Sequence, residues 1–253
     1  MSDAIPLGDL LESRAGFLLS YPSADPERAC VVIEELKGLG VSALIPKGRH
    51  MIDGVSILGK GHVGIVMAAL LGGKKVAVKL RRSDADRTSM AAEGEYLKVA
   101  NGVSVGPRLL GVSRDVLAME LIEGGYLVDW VGGLEPEEGG LLREVLVDLM
   151  EKARRMDEAG LDHGELSSAR RHVIVSGGVA RIVDFESASV SRRCSNVTSM
   201  VQYLFFNRGM AGGVEGVIPL PDRDLLVTVL SAYRRGPGEA SFRRVLAESG
   251  LAE

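Results

Sequence analysis

The chain of 253 residues is 46% hydrophobic and 25% charged, which is the balance of a folded protein with one or two domains. Its net charge of −4 argues against nucleic-acid binding through overall charge and leaves only a local basic patch for that purpose. Because no apolar run reaches the roughly 18 residues of a transmembrane helix, the sequence predicts no membrane partner.

The beginning of the chain and its thiols indicate a compartment. Met1–Pro6 lacks the basic start and apolar core of a secretory signal. Two cysteines, Cys30 and Cys194, are too few for a disulfide framework or a metal cluster. Because reduced thiols are typical of the cytoplasm, the sequence predicts a cytoplasmic protein.

Residues 1–50 read as a leading segment with one helix and one strand. A turn and helix start at Pro22–Pro26 precedes apolar residues at helical spacing. These residues are Ala29, Val32, Ile33, Leu36 and Leu39. Val41–Ile45 then reads as a strand. The segment is either a helix-strand cap on the following domain or a small interaction module, and the pattern favours neither.

Residues 51–122 read as five strands and one helix. Three strands lie between Val55 and Leu80, and the first of them ends in a glycine-rich turn. Gly72–Lys75 is a hairpin signal between the second and third. The remaining elements are a helix over 86–99 and strands over 108–112 and 116–121.

Residues 123–253 read as a short, mainly helical region. Glu123–Gly125 interrupts the pattern and suits a hinge. Leu141–Glu158 is the clearest helix because its apolar residues follow one stripe. The later elements are a hairpin over 172–184 and helices from about Val197, with glycine- and proline-rich breaks over 209–221.

The glycine-rich turn, with the pattern G-x-G-x-x-G-x-V, spans Gly59–Val66. Glycines allow close approach of backbone N–H groups to phosphates. A Rossmann fold shares this spacing but needs a helix directly after the glycines, whereas Ile65–Leu70 is rich in strand formers. A plain glycine hairpin is the other alternative. The pattern favours a hairpin that holds phosphates.

Lys79 ends an apolar run, which would draw its stem inward. A buried lysine needs a carboxylate partner. Glu93, in the next predicted helix, is the first candidate and Glu95 is the second. The alternative is that both glutamates lie on an exposed helix face.

Two of the acidic residues after the long helix are candidates for chemistry. Asp184 comes directly after a predicted buried strand, where a carboxylate either binds a cation such as Mg²⁺ or caps a turn. Glu165 lies in the sequence D-H-G-E-L, which spans Asp162–Leu166.

These motifs, together with V-A-V-K at Val76–Lys79 and D-F-E at Asp184–Glu186, resemble those of the protein-kinase superfamily. The chain is similar to the small atypical branch that includes RIO kinases and the kinase subunit of the KEOPS complex. It looks closest to an archaeal group of predicted serine/threonine protein kinases carrying D-H-x-E-L and D-F-E. The resemblance covers roughly residues 52–210.

The resemblance implies an α+β, bilobal, protein-kinase-like fold. Residues 51–122 would be an N-lobe with a five-stranded antiparallel sheet and one helix, and residues 123–253 a minimal, mainly helical C-lobe. Residues 1–50 would be an N-terminal extension outside the superfamily pattern.

The resemblance also implies roles for individual residues, with ATP as nucleotide and Mg²⁺ as metal. Lys79 would contact the α- and β-phosphates, and Glu165 would accept the proton of the substrate hydroxyl. His163 would brace the loop. The nucleotide-binding set is Gly59, Lys60, Gly61, Gly64, Val66, Ala77, Lys79, Glu93, Glu120 and Ile122. The catalytic set is Glu165, Lys79 and Asp184, and the metal set is Asp184, His172 and Glu186.

Three departures from the superfamily pattern affect the expected chemistry. Glu165 replaces an aspartate, and its extra methylene alters the reach of the carboxylate. The usual magnesium-binding asparagine is replaced by Arg170 by counting, or by His172 by matching the following strand, which we prefer. Glu186 replaces a glycine and would either add an oxygen ligand or pair with an arginine. The arginines in reach along the chain are Arg192 and Arg193.

The sequence therefore favours an active kinase that transfers the γ-phosphoryl group of ATP to a serine or threonine. The departures keep a second hypothesis open, a non-catalytic nucleotide-binding pseudokinase or scaffold. The short C-lobe supports a third, a small-molecule kinase on the same fold. The sequence leaves the acceptor unidentified.

Overall fold

The computed structural model describes residues 4–252, which form a mixed α+β chain that is 46% helical and 21% strand. The chain divides into two units. The first runs to Lys98 and includes Pro107–Leu121, and the second comprises Val99–Gly106 and the chain from Ile122 onward. Between residues 4 and 252, no helix is both long and apolar enough to cross a membrane.

The first unit is organised by an antiparallel sheet. Its strands are β1 (Ile5–Pro6), β2 (Val41–Ile45), β5 (Gly59–Lys60), β6 (Gly64–Leu71), β7 (Lys74–Arg81), β8 (Leu109–Val112) and β9 (Val116–Glu120), and a separate hairpin contains β3 (His50–Ile52) and β4 (Val55–Ile57). The order in the sheet is β1-β2-β6-β7-β9-β8, with β5 also paired to β6.

This sheet has seven strands, whereas the sequence predicted five. The two additional strands come from the leading segment, because β1 pairs with β2 and β2 pairs with β6. The strand expected to lead into the glycine turn is also divided. Val55–Ile57 pairs with β3, and only the short β5 precedes the turn.

Helix α1 (Pro26–Gly38) joins the leading segment to the sheet. The side chain of Asp25 begins the helix by accepting hydrogen bonds from the N–H groups of Glu27 and Arg28, at 3.0 and 3.2 Å. The buried helix residues Ala29, Val32, Ile33 and Leu36 belong to one hydrophobic cluster with sheet residues such as Met67 and Val78. The leading segment and the sheet therefore share a core.

Helix α2 (Ala91–Gly102) begins later than the sequence predicted. The predicted start near Asp86 is wrong because the chain before Ala91 is held as a loop. Arg81 Nη1 donates to the carbonyl of Arg87 at 2.9 Å, and the N–H of Met90 donates to the carbonyl of Arg114 at 2.9 Å. These bonds use backbone groups that a helix would otherwise pair internally.

The second unit is mainly helical. Its helices are α3 (Leu127–Val131), α4 (Gly139–Glu158), α5 (Asn196–Val201), α6 (Arg208–Glu215), α7 (Arg223–Arg235) and α8 (Glu239–Glu248). A three-stranded antiparallel sheet contains β10 (Gly125–Tyr126), β11 (Val173–Ser176) and β12 (Val179–Ile182), in that order. A short 3-10 helix, Leu166–Arg171, precedes β11.

Helix α4 carries the apolar stripe that the sequence predicted. Its buried residues include Leu142, Leu146, Leu149, Ala153 and Met156. Lys152, also buried, donates hydrogen bonds to Asp148 and, at 2.6 Å, to the carbonyl of Ala180 on β12. Burial lowers the pKa of Lys152. Through these contacts α4 positions β12, the strand that leads to Asp184.

The break predicted to start at Gly209 is wrong, because Gly209 lies inside α6. The side chain of Asn207 begins this helix by accepting a hydrogen bond from the N–H of Met210 at 3.4 Å. The helix buries Met210 and Val214 and ends at Glu215. An N-terminal cap and an apolar face therefore outweigh the low helix propensity of glycine.

Candidate functional site

The glycine-rich turn joins β5 to β6 as a tight hairpin. Lys60 pairs with Ile65 in the ladder, and the N–H of Gly61 donates to the carbonyl of Gly64 at 2.8 Å. A strand rather than a helix follows the glycines. This excludes the Rossmann interpretation, which requires a helix at that position.

Gly64 lies against the stem of Lys79. A Cβ atom at position 64 would lie 2.9 Å from Lys79 Cγ and 3.0 Å from the carbonyl oxygen of Leu80, which is closer than ordinary packing permits. The glycine therefore allows β6 to approach the aliphatic part of this lysine. A larger residue would displace either the turn or Lys79.

Lys79 and Glu93 form an ion pair, as the sequence predicted. Lys79 Nζ lies 2.9 Å from Glu93 Oε1, and the two residues are only 2% and 4% exposed. Glu95, the second candidate, instead pairs with Lys98 on the helix surface at 2.5 Å. Strand β7 supplies the lysine and the first turn of α2 supplies the glutamate, so both partners are held by regular structure.

Strand alternation groups further predicted nucleotide-binding residues with Lys79. Val66 pairs directly with Lys79, and Ala77 lies two residues before it, so all three share one face of the sheet. Glu120 pairs with Val76 and therefore lies on the opposite face, where its carboxylate accepts the N–H of Arg108 at 3.1 Å. If Glu120 contacts a nucleotide, its backbone and not its side chain would make that contact.

The remaining predicted nucleotide-binding residues divide between the two units. Gly59 and Lys60 form β5 at the turn of the first unit. Ile122 is half-buried and begins the long stretch of the second unit. The first unit thus gathers the glycine turn, Val66, Ala77 and the Lys79–Glu93 pair, and Ile122 lies outside that group.

In the second unit, a β-bridge fixes the segment that follows α4. Asp162 and Ser189 exchange backbone hydrogen bonds at 2.9 and 2.8 Å. The buried carboxylate of Asp162 accepts from the N–H of Ser195 at 2.9 Å and from Arg192 Nε at 2.5 Å. The backbone at the start of the D-H-G-E-L sequence is therefore held from both sides.

His163 is fully buried behind this segment. Its Nε2 lies 3.1 Å from the carbonyl of Val183, so this nitrogen carries the proton and donates. Its Nδ1 finds no hydrogen-bond partner among the described residues. Burial lowers the pKa of His163 to about 4, and the ring packs 5.1 Å from Phe185 and 5.5 Å from His172. The neutral His163 thus links this loop to the backbone of Val183.

Gly164 separates His163 from Glu165 and has a left-handed backbone, with φ +90°. A Cβ atom there would lie 2.6 Å from the carbonyl oxygen of Ser187. Only glycine is therefore compatible with this turn. The turn directs the following residue, Glu165, away from the buried histidine and leaves its side chain 41% exposed.

His172 lies beside two half-exposed carboxylates, those of Glu165 and Asp184. Its Nε2 is 3.3 Å from Glu165 Oε2 and 3.9 Å from Asp184 Oδ2. Arg170, the other residue considered for this position, is exposed. The structure therefore brings Glu165, His172 and Asp184 together, although they are distant in sequence.

Asp184 has a left-handed backbone conformation, with φ +68°, which is uncommon for a residue with a side chain. It and Glu186 each offer a carboxylate oxygen within 4.8 Å of the other, and oxygen ligands are those that Mg²⁺ prefers. The two arginines considered for Glu186 make other bonds, Arg192 to Asp162 and Arg193 to a backbone carbonyl. Imidazole is a poor Mg²⁺ ligand, so His172 fits the metal set less well.

Sequence reasoning missed Asp157 and Asn196, which bind the backbone around the D-H-G-E-L loop. Asn196 Oδ1 accepts the N–H of His163 at 2.9 Å, and its Nδ2 donates to Asp157 at 2.8 Å and to the carbonyl of Leu161 at 2.7 Å. Asp157 also accepts from the hydroxyl of Tyr233 at 3.2 Å. Burial raises the pKa of Asp157. No local sequence pattern marks partners so far apart along the chain.

Comparison with family models and with curated sequences finds no relative of this chain. A functional assignment therefore depends on the residues described above and on their chemistry.

Proposed function

We propose that the protein is an ATP-dependent phosphotransferase of the atypical serine/threonine protein-kinase type, with a bilobal kinase-like fold. In this proposal the first unit is the N-lobe and binds ATP through the glycine turn and Lys79. The second unit is the C-lobe and supplies Asp184 and Glu186 for Mg²⁺ and Glu165 for proton transfer.

The buried pair of Lys79 and Glu93 beside the glycine turn is the observation that carries this proposal. A buried ion pair adds little stability by itself, because desolvation offsets most of the attraction. A functional role therefore explains this buried pair better than a contribution to stability does. Glu93 holds the ammonium at 2.9 Å in one orientation, so that Lys79 is ready to contact phosphate oxygens. This geometry also favours the phosphate-binding hairpin over a plain turn.

The second unit supplies the groups that phosphoryl transfer requires. Mg²⁺, when bound, would offset the charge of the phosphates. Glu165 would accept the proton of the acceptor hydroxyl, and His172, 3.3 Å away, would limit the freedom of its longer side chain. Because Nε2 of His172 also faces Asp184, we assign His172 to positioning rather than to metal binding.

A non-catalytic nucleotide-binding protein is the second candidate. Its support is the exposure and reach of Glu165, which replaces the aspartate of the superfamily pattern. ATP binding through Lys79 without hydrolysis or transfer would be its signature. The small-molecule kinase differs only in its acceptor.

The test measures ATP binding and phosphate transfer separately, with γ-labelled ATP and Mg²⁺ and the purified full chain. We expect wild type to bind ATP and to release phosphate or label protein. Glu165→Gln should bind ATP normally and lose turnover by about 100-fold or more. Asp184→Asn should abolish turnover.

The matched control is Glu137→Gln, the same substitution at an exposed residue of the same unit, which should behave as wild type. Wild-type binding without transfer to protein or water would favour the non-catalytic candidate. Label that appears on small molecules rather than on protein would favour the small-molecule kinase. If wild type fails to bind ATP, the proposal is wrong.

A further inference from the structure

Tyr21, in the leading segment, contacts the glycine turn of the first unit. Its hydroxyl accepts a hydrogen bond from Lys60 Nζ at 2.5 Å, and the same ammonium lies 4.8 Å from the centre of its ring. The guanidinium carbon of Arg82 lies 5.3 Å from that ring centre. One aromatic ring therefore attracts two cations, of which Lys60 belongs to β5 itself.

Arg82 in turn binds the backbone of the turn. Its N–H donates to the carbonyl of Val63 at 2.8 Å, and its Nη1 donates to the carbonyl of Gly61 at 3.1 Å. Its Nε bonds to Asp84 at 2.8 Å, which orients the guanidinium. The backbone N–H of Arg82 thus holds one carbonyl group of the turn and its side chain holds another, and Tyr21 contacts the same side chain.

Tyr21 is itself held in place. Its carbonyl accepts the N–H of Ser83 at 2.8 Å, and its ring meets Phe17 edge-on with centres 5.5 Å apart. The preceding residues Leu18 and Leu19 are buried in the core of the unit. The ring therefore provides a fixed point against which the flexible turn is ordered.

We propose that Tyr21 is a positioning residue for the nucleotide, which orders the glycine turn and Lys60 before ATP binds. This inference rests on the proposed function. Ordering a loop on binding reduces affinity, and a loop that is already ordered avoids this loss. Glycines make the turn flexible, so an external contact has more to contribute here than at a stiffer turn.

The contact between Tyr21 and Lys60 allows two effects of opposite sign. If Tyr21 orders the turn, then removal of its hydroxyl weakens ATP binding. If Tyr21 instead competes with the phosphates for Lys60, the same removal strengthens binding. The three bonds from Arg82 and Ser83 favour ordering, because they hold the turn and the tyrosine independently of Lys60.

The test is the dissociation constant for ATP, measured by calorimetry on the full chain together with kcat at saturating ATP. Tyr21→Phe removes only the hydroxyl and should raise the dissociation constant about threefold to tenfold, with kcat unchanged. Tyr21→Leu also removes the ring and should raise it further. If Tyr21 only stabilised the fold, its substitution would not change the dissociation constant while leaving kcat unchanged.

Two lysines provide a matched comparison. Lys60→Met should weaken ATP binding, whereas Lys74→Met, at the exposed start of β7, should leave it unchanged. If Tyr21→Leu does not fold, the phenylalanine variant carries the test, and its melting temperature should stay within about 2 °C of wild type.

Three results would overturn the inference. Equal or tighter ATP binding by Tyr21→Phe, with normal binding by wild type, rejects the role of Tyr21 and leaves the proposed function intact. A fall in kcat with an unchanged dissociation constant has the same consequence. Wild type that does not bind ATP rejects both the inference and the function on which it rests.

Discussion

Lys79 and Glu93 in the first unit and Glu165 and Asp184 in the second carry the charges of the proposed chemistry, but their surroundings differ. The side chains of the first pair are 3% and 5% exposed, whereas those of the second are 41% and 34% exposed. In the first unit the charged groups of the proposed chemistry are themselves buried. In the second they stand at the surface, and the groups that hold them are buried.

In the second unit, the residues that stabilise the loop are different from the residues that would carry out the chemistry. Asp162, His163 and Asn196 are 3%, 0% and 1% exposed, and they hold the loop through backbone hydrogen bonds. A change at Glu165 should therefore affect turnover and leave the fold intact. A change at Lys79 should affect both, because it leaves a buried carboxylate without its closest cation.

The largest effect is expected from Lys79→Met. The free energy of unfolding should fall by about 3–5 kcal/mol, because Glu93 then lies buried without the ammonium at 2.9 Å. ATP binding should be lost as well. Chemical denaturation and calorimetry measure the two quantities.

A double variant separates the two effects. Lys79→Met with Glu93→Leu removes both charges, so it should recover most of the lost stability and still fail to bind ATP. Glu165→Gln is the contrast in the second unit and should change the free energy of unfolding by less than about 0.5 kcal/mol. ATP binding by the double variant would contradict the role of the pair.

The next effect is a pH dependence of stability that originates in the second unit. The pKa of His163 is about 4 in the folded protein, below its ordinary value of 6.5, because the ring is buried. The free energy of unfolding is therefore highest above pH 6.5, and it falls as the pH is lowered toward 4. The loss should reach about 3 kcal/mol and is measured by denaturation at successive pH values.

The groups that face His163 modify this dependence. His172 opposes its protonation, whereas Asp184 and Asp162 favour it. His163→Gln keeps an N–H donor for the carbonyl of Val183 and cannot titrate, so its profile should be flatter. His62→Gln, at an exposed position of the glycine turn, should keep the wild-type profile. If the pH dependence of stability were unchanged in His163→Gln, the loss of stability at low pH would originate from other groups.

The contrast between the two units also explains why the sequence predicted the Lys79–Glu93 pair but not the contacts of Asn196. Strand alternation and one short helix place Lys79 beside Glu93, so a local pattern was enough. The contacts of Asn196 with His163 and Asp157 join residues far apart in the chain, and an asparagine in a polar stretch looks like an ordinary turn residue. The contact of Tyr21 with Lys60 was missed for the same reason.

The leading segment illustrates a second limit. Its strand Val41–Ile45 and its helix were predicted correctly, but both alternatives left open how the segment joins the next domain. In the structure β2 extends the sheet by pairing with β6. Strand pairing depends on which edge is available, and the sequence of one strand does not contain that information.

The smallest effect tests how closely the turn fits Lys79. Gly64→Ala should lower the free energy of unfolding by about 1–3 kcal/mol, because a Cβ atom would lie 2.9 Å from Lys79 Cγ. It should also weaken ATP binding by displacing the ammonium. Gly38→Ala is the matched control in the same unit, since no described atom lies within 4 Å of its new Cβ, and it should stabilise helix α1 by up to about 1 kcal/mol. If both variants showed equal stability and ATP affinity, the turn would not depend on close contact with Lys79.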